Sequence, residues 1–113
     1  MAQQTFAEAV QEVSDFVARA LTRIEDNHGE EAELHNVRAY IINLLELVER
    51  DAGLEMACND LYDAALALVT ATSADGPEVI TRRRRLLREA YLRFQTRLVS
   101  LRPGHKAKHM GLA

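Results

Sequence analysis

DGPEVITRRRRLLREAYLRFQTRLVSL, Asp75 to Leu101, carries a complete helix signal: a start, a one-sided apolar stripe and, just beyond it, a stop. Asp75 is placed to cap, Glu78 stands three residues on, and Pro77 falls in the first turn, where a missing N–H does no harm. Ile80, Leu87, Tyr91, Phe94, Leu98 and Leu101 fall on one face of a 3.6-residue period. Arg84 is the one member of that stripe that is not apolar, and Arg83 lies on the side that Val79, Leu86 and Ala90 broaden. Pro103-Gly104 ends the pattern, so a helix is predicted from about Gly76 to Arg102.

Three more helices precede it. Thr5-Phe6-Ala7-Glu8 reads as a capping box, after which Phe6, Val10, Val13, Val17, Ala20 and Ile24 hold one face until Asn27-His28-Gly29. Helix 2 starts among Glu30, Glu31 and Glu33, where the helix dipole favours negative charge, and its stripe is Leu34, Val37, Ile41, Leu44 and Val48. Tyr40, Ile42, Leu45 and Leu47 widen that apolar face, which makes helix 2 the expected centre of the core and a surface for a homodimer. Gly53 is read as the turn that ends helix 2, and Leu54, Cys58, Leu61, Ala65 and Leu68 form the stripe of helix 3. Four helices on short connections predict an all-α, up-down-up-down four-helix bundle as one domain over residues 1–102, with residues 103–113 as a flexible C-terminal tail too short and polar to pack as another helix.

Composition narrows the function classes. The chain is 48% hydrophobic but only 5% aromatic, with no Trp, so the core is aliphatic and little surface is left for stacking bases. Cys58 is the single cysteine, which rules out an intramolecular disulfide and suits a reducing compartment. The opening MAQQTFAEAV has no basic segment leading into an apolar one, and the longest apolar run, Ala64 to Val69, is too short to span a bilayer. The expected location is the cytoplasm, with no membrane partner.

Charge is sharply divided along the chain. Residues 1–75 hold 4 Arg and 15 Asp/Glu, a net −11, whereas residues 76–113 hold 10 Lys/Arg and 2 Glu, a net +8. In an up-down-up-down bundle the helix 1–2 connection meets the start of helix 4, so Glu25, Asp26, Glu30 and Glu31 are expected to face Arg82, Arg83, Arg84 and Arg85. Arg83 and Arg84 interrupt a core-facing stripe and require either carboxylate partners, for which Glu25, Glu31 and Asp63 stand at suitable heights, or an escape route along their aliphatic stems. The acidic neighbours would repel a nucleic-acid backbone, which argues against nucleic acid as the ligand of the arginine run.

Catalytic signals are sparse. Glu25 and His28 have the Glu-x-x-His spacing of carboxylate-bridged di-iron bundles, but no second copy exists, and no metal or other cofactor is expected. His105 and His109 are four apart but follow Pro103-Gly104. Cys58 falls on a core stripe, where a thiol is inert, and no serine has a base within helical reach. The chain is therefore read as a non-enzymatic interaction or regulatory protein that self-associates through the surplus apolar surface of helix 2 or helix 4. His35-Asn36-Val37-Arg38-Ala39 supplies the alternative: a histidine near the start of a bundle helix, with a basic residue at i+3 and a small one at i+4, resembles a histidine phosphotransfer domain. The resemblance implies His35 as phosphoacceptor and Arg38 as the charge that offsets the phosphoryl group.

Overall fold

The Thr5 hydroxyl accepts from the Glu8 N–H at 3.1 Å, and this cap opens the first helix of a computed structural model that describes residues 4–27, 31–71 and 75–112. Within those residues there are five helices and no strand: α1 (Phe6–Asn27), α2 (Glu31–Leu47), α3 (Ala52–Val69), α4 (Gly76–Leu98) and the short α5 (His105–His109). The four long helices alternate in direction as an up-down-up-down bundle. Phe16 of α1 stacks on Tyr40 of α2 with ring centroids 5.3 Å apart, and Arg97, late in α4, reaches Asp51 at the start of α3.

The apolar stripes meet in one core, with Val17, Ile24, Val37, Leu44, Leu61 and Phe94 all excluded from solvent. Its centre is α3 rather than α2. Helices α1, α2 and α4 all pack on α3, and the small side chains Ala57, Ala64 and Ala65 permit that crowding. The wide face of α2 is largely used internally: Tyr40, Leu45 and Leu47 are half-buried against the core, and Ile42 alone of the four is exposed. The exposed α2 patch expected to support a dimer is therefore absent.

Helices α2 and α3 are separated by a turn, but Gly53 does not make it. Asp51 does, in an extended conformation, with its Oδ1 accepting from the Leu54 N–H at 2.8 Å as the N-cap of α3. Gly53 lies inside the first turn of α3, and a Cβ there would collide with the Arg97 guanidinium that lies across it. The same guanidinium donates to Asp51 at 2.9 Å and, ahead of the backbone N–H bonds, holds that carboxyl below its ordinary value of 3.8. At the other connection, Asp75 is helical in its backbone and makes no side-chain cap bond; Gly76 takes φ +75°, and Pro77 begins the regular turns.

Helix α4 ends at Leu98, one turn short of the predicted Arg102, because the chain is drawn into a clamp with the α2–α3 connection. The Glu49 N–H donates to the Arg102 carbonyl at 2.7 Å and the Gly104 N–H to the Leu47 carbonyl at 2.9 Å. Beyond the clamp, residues 105–109 form α5, contrary to the expectation that this segment packs no further helix. Ala107 is fully buried, and Lys106 bonds Glu46 of α2 at 2.6 Å. One small apolar residue facing inward is enough to seat a single turn when the backbone ahead of it is pinned.

Gly104 has no room for a side chain, since a Cβ would stand 2.6 Å from the Val48 carbonyl oxygen and 3.1 Å from the Glu49 nitrogen. Both are backbone atoms held in the clamp. Gly104→Ala is expected to cost about 1–3 kcal/mol, in the range of overpacking, and to release α5. Urea denaturation together with limited proteolysis at the Lys106 and Lys108 bonds checks both effects.

Candidate functional site

The arginine run divides as the helical period predicts: Arg83 and Arg84 are half-buried, while Arg82 and Arg85 are exposed. Each of the half-buried pair reaches a backbone carbonyl of a neighbouring helix. Arg83 Nη1 donates to the Ala67 carbonyl at 2.8 Å and Arg84 Nη2 donates to the Glu25 carbonyl at 3.3 Å. Ala67 and Glu25 lie in the last turns of α3 and α1, where carbonyls lack a backbone donor in their own helix, and the Ala67 carbonyl also accepts from the Thr70 hydroxyl at 3.3 Å. Two neighbouring residues of α4 thus reach to opposite sides and place positive charge at two helix C-termini, where the dipole favours it.

The described carboxylates at this end are paired with other residues or exposed. Glu25 does sit at this end, but its side chain takes Arg88 at 3.0 Å. Asp26, Glu31 and Asp63 are exposed, and Glu30 and His28 lie outside the described residues. Glu33 is engaged by Arg23 at 2.8 Å, which ties α2 back to α1. The acidic end is present, yet the inward-facing guanidiniums reach backbone carbonyls within it.

His35, Arg38 and Ala39 are all exposed on the outer side of α2. Cys58 is buried, and desolvation, ahead of the Glu55 charge, pushes its thiol up to about 12, so it carries no thiolate at neutral pH. His105 and His109 share one face of α5 with ring centroids 6.4 Å apart. Among the described residues no three His, Cys, Asp or Glu side chains converge to hold a metal ion, and no helix is long and apolar enough to cross a membrane.

A feature outside the predicted sites is the seam between α1 and α4. Helix α1 leans on α3 across the bundle diagonal more than it approaches α4, which leaves a groove along almost the whole of α1. Two adjoining depressions of about 310 Å³ each occupy it and share Gln95. The first is lined by Ala18, Leu21 and Glu25 of α1 against Leu87, Tyr91 and Leu92 of α4, and the second by Phe6, Ala7 and Ser14 against Leu98, Val99 and Leu101. Leu92 and Val99 stand on the α4 rim with 62% and 88% of their surface exposed, and Leu92 also borders a further depression on the α3 side of α4, lined by Gly53, Ala57 and Thr96. The seven-residue spacing of Leu92 and Val99, off the core stripe, was the available signal for this face in the sequence.

Comparison with protein families, curated proteins and solved structures finds no match for this chain.

The carbonyl contacts make the four arginines unequal. Arg83→Ala and Arg84→Ala are each expected to lower stability by about 1–2 kcal/mol, whereas Arg82→Ala should stay within about 0.5 kcal/mol. Arg84→Met keeps the apolar stem, so a loss that persists in it belongs to the guanidinium. Urea midpoints at constant slope measure all four, and equal midpoints would contradict the capping role.

Proposed function

We propose that the chain is a non-enzymatic interaction or regulatory protein of the cytoplasm that works through its helical faces, with the open α1/α4 groove as the binding surface. The observation that carries this reading is the seam itself. A bundle that buries three of its seams and leaves the fourth as an open groove, apolar along Leu21, Leu87 and Leu92 and polar around Gln11, Ser14 and Gln95, presents a surface suited to an amphipathic partner. Nothing in the groove assembles an acid/base pair or a nucleophile with its base: Glu25 is neutralised by Arg88, and Gln95 Nε2 donates to the Tyr91 hydroxyl at 3.1 Å.

Leu92→Glu combined with Val99→Glu places two charges on the rim without touching the core. In affinity capture from native lysate with the tagged chain, these substitutions should remove the specifically bound proteins while the circular dichroism spectrum is unchanged. A capture profile indifferent to them overturns the groove as the working surface.

Histidine phosphotransfer is the second reading, favoured by the exposure of His35, Arg38 and Ala39 together on one helix. Its requirement is chemical and direct: incubation with phosphorylated receiver domains should give an acid-labile, base-stable phosphoprotein that His35→Ala abolishes. On the interaction reading no such label forms.

A further inference from the structure

We propose that His105 and His109 form a two-histidine chelate for a divalent transition-metal ion, with the single turn of α5 as its frame. The site lies on α5, which packs on α2, and it is independent of the α1/α4 groove.

Residues four apart on a helix stand one above the other, and the two imidazoles do so here with ring centroids 6.4 Å apart and planes 20° from parallel. Both rings are exposed, on the side of the turn away from the buried Ala107. Metal–nitrogen bonds of about 2.0–2.1 Å bring two such centroids to about 5 Å, so the rings must close by ~1 Å. Rotation of two solvent-exposed side chains supplies that change.

The turn between the histidines is already formed, and this separates the pair from two histidines on a free terminus. The Gly104 N–H donates to the Leu47 carbonyl at 2.9 Å, and Lys106 bonds Glu46 at 2.6 Å. Within the turn, the Lys108 and Met110 N–H groups donate to the carbonyls of Gly104 and Lys106, each at 3.0 Å. A peptide of this length does not hold such a turn in water, because the first helical turn fixes several dihedrals for one hydrogen bond. Docking on α2 supplies the order in advance, so the chelate forms without the full cost of ordering the chain.

Ligand chemistry sets the class of ion. Helix α5 contains no carboxylate, and the carboxylate that does bond to it, Glu46, is taken by Lys106. Imidazole suits Cu²⁺, Ni²⁺ and Zn²⁺, whereas Mg²⁺ and Ca²⁺ require oxygen ligands. Lys106 and Lys108 flank the pair and oppose any cation, so nitrogen donation rather than charge holds the ion. Water completes the coordination sphere, which makes the site open and weaker than a closed four-ligand zinc site. An ion bridging residues 105 and 109 fastens the turn from outside and thereby stabilises α5 on α2.

Isothermal titration calorimetry of the full chain, carrying no histidine tag, with NiCl₂ alone should show one ion bound per chain, at an affinity unchanged by excess Mg²⁺. His105→Ala and His109→Ala should each weaken binding about tenfold or more, while His28→Ala and His35→Ala leave it unchanged. Gly104→Ala, which releases α5, should weaken it too, a result that two histidines acting from an unstructured tail would not give. In limited proteolysis with trypsin, Ni²⁺ should slow cleavage at Lys106 and Lys108 in the wild-type chain and not in His109→Ala. A chain that binds no Ni²⁺ from micromolar to low millimolar concentration overturns the inference. So does binding that keeps its strength in either alanine variant at 105 or 109, or in Gly104→Ala.

Discussion

The last carbonyls of a helix have no donor within it, and when two helices end together beside an apolar core those carbonyls must find donors from elsewhere. In this protein α1 and α3 end at the same side of the bundle, and α4 begins there. Arg83 and Arg84 meet the need by pointing to either flank of their own helix, one to Ala67 and one to Glu25. Long stems let both side chains leave a core-facing position without stranding the charge. The run of arginines thus fits the antiparallel order of the helices, because only a helix starting where its two neighbours stop can serve both.

At the opposite end the contacts are of another kind, and they explain why the chain does not stop at α4. Arg97 lies across Gly53 and bonds Asp51, so the start of α3 and the last full turn of α4 are locked together. Immediately afterwards the backbone of residues 101–104 pairs with the α2–α3 connection, and Gly104 is pressed against the Val48 carbonyl. Two glycines are used for close approach, one by a guanidinium and one by backbone. In neither case does a left-handed conformation account for the glycine, since Gly53 is helical and Gly104 is extended.

The regular part of this architecture was legible because burial imposes a period. Helix 1 starts at Phe6 and helix 4 at Gly76, as Thr5 and Pro77 indicate, and the stripe residues Val17, Leu61, Leu87 and Phe94 are buried. What was not legible depends on contacts between distant segments. Gly53 looks like a helix terminator until Arg97 is known to cover it, which hides the cap at Asp51. The segment HKAKHMGLA looks too polar to fold until the Gly104 clamp places Ala107 against α2. The arginines show a further limit: their division into inward and outward pairs follows from the helical period alone, but a sequence does not display backbone carbonyls as acceptors. Carboxylates were therefore the visible candidates, and Glu25 serves twice, its side chain taking Arg88 and its carbonyl accepting from Arg84.

The open α1/α4 seam follows from the composition of α3. A helix with alanine at positions 57, 64, 65 and 67 allows close approach on more than one side, so α4 packs tightly on it and α1 also leans toward it, giving lateral extents of 28 and 16 Å rather than a square cross-section. Drawing two helices toward a slender third moves them apart from one another. Among the described residues one ion pair, Glu25 with Arg88, spans the gap, and an exposed pair of this kind contributes at most about 1 kcal/mol. Other arginines of α4 are engaged on its α3 side, Arg83 by the Ala67 carbonyl and Arg97 by Asp51. Small residues in α3 thus leave an open α1/α4 seam that is apolar along Leu21, Leu87 and Leu92 and polar around Gln11, Ser14 and Gln95.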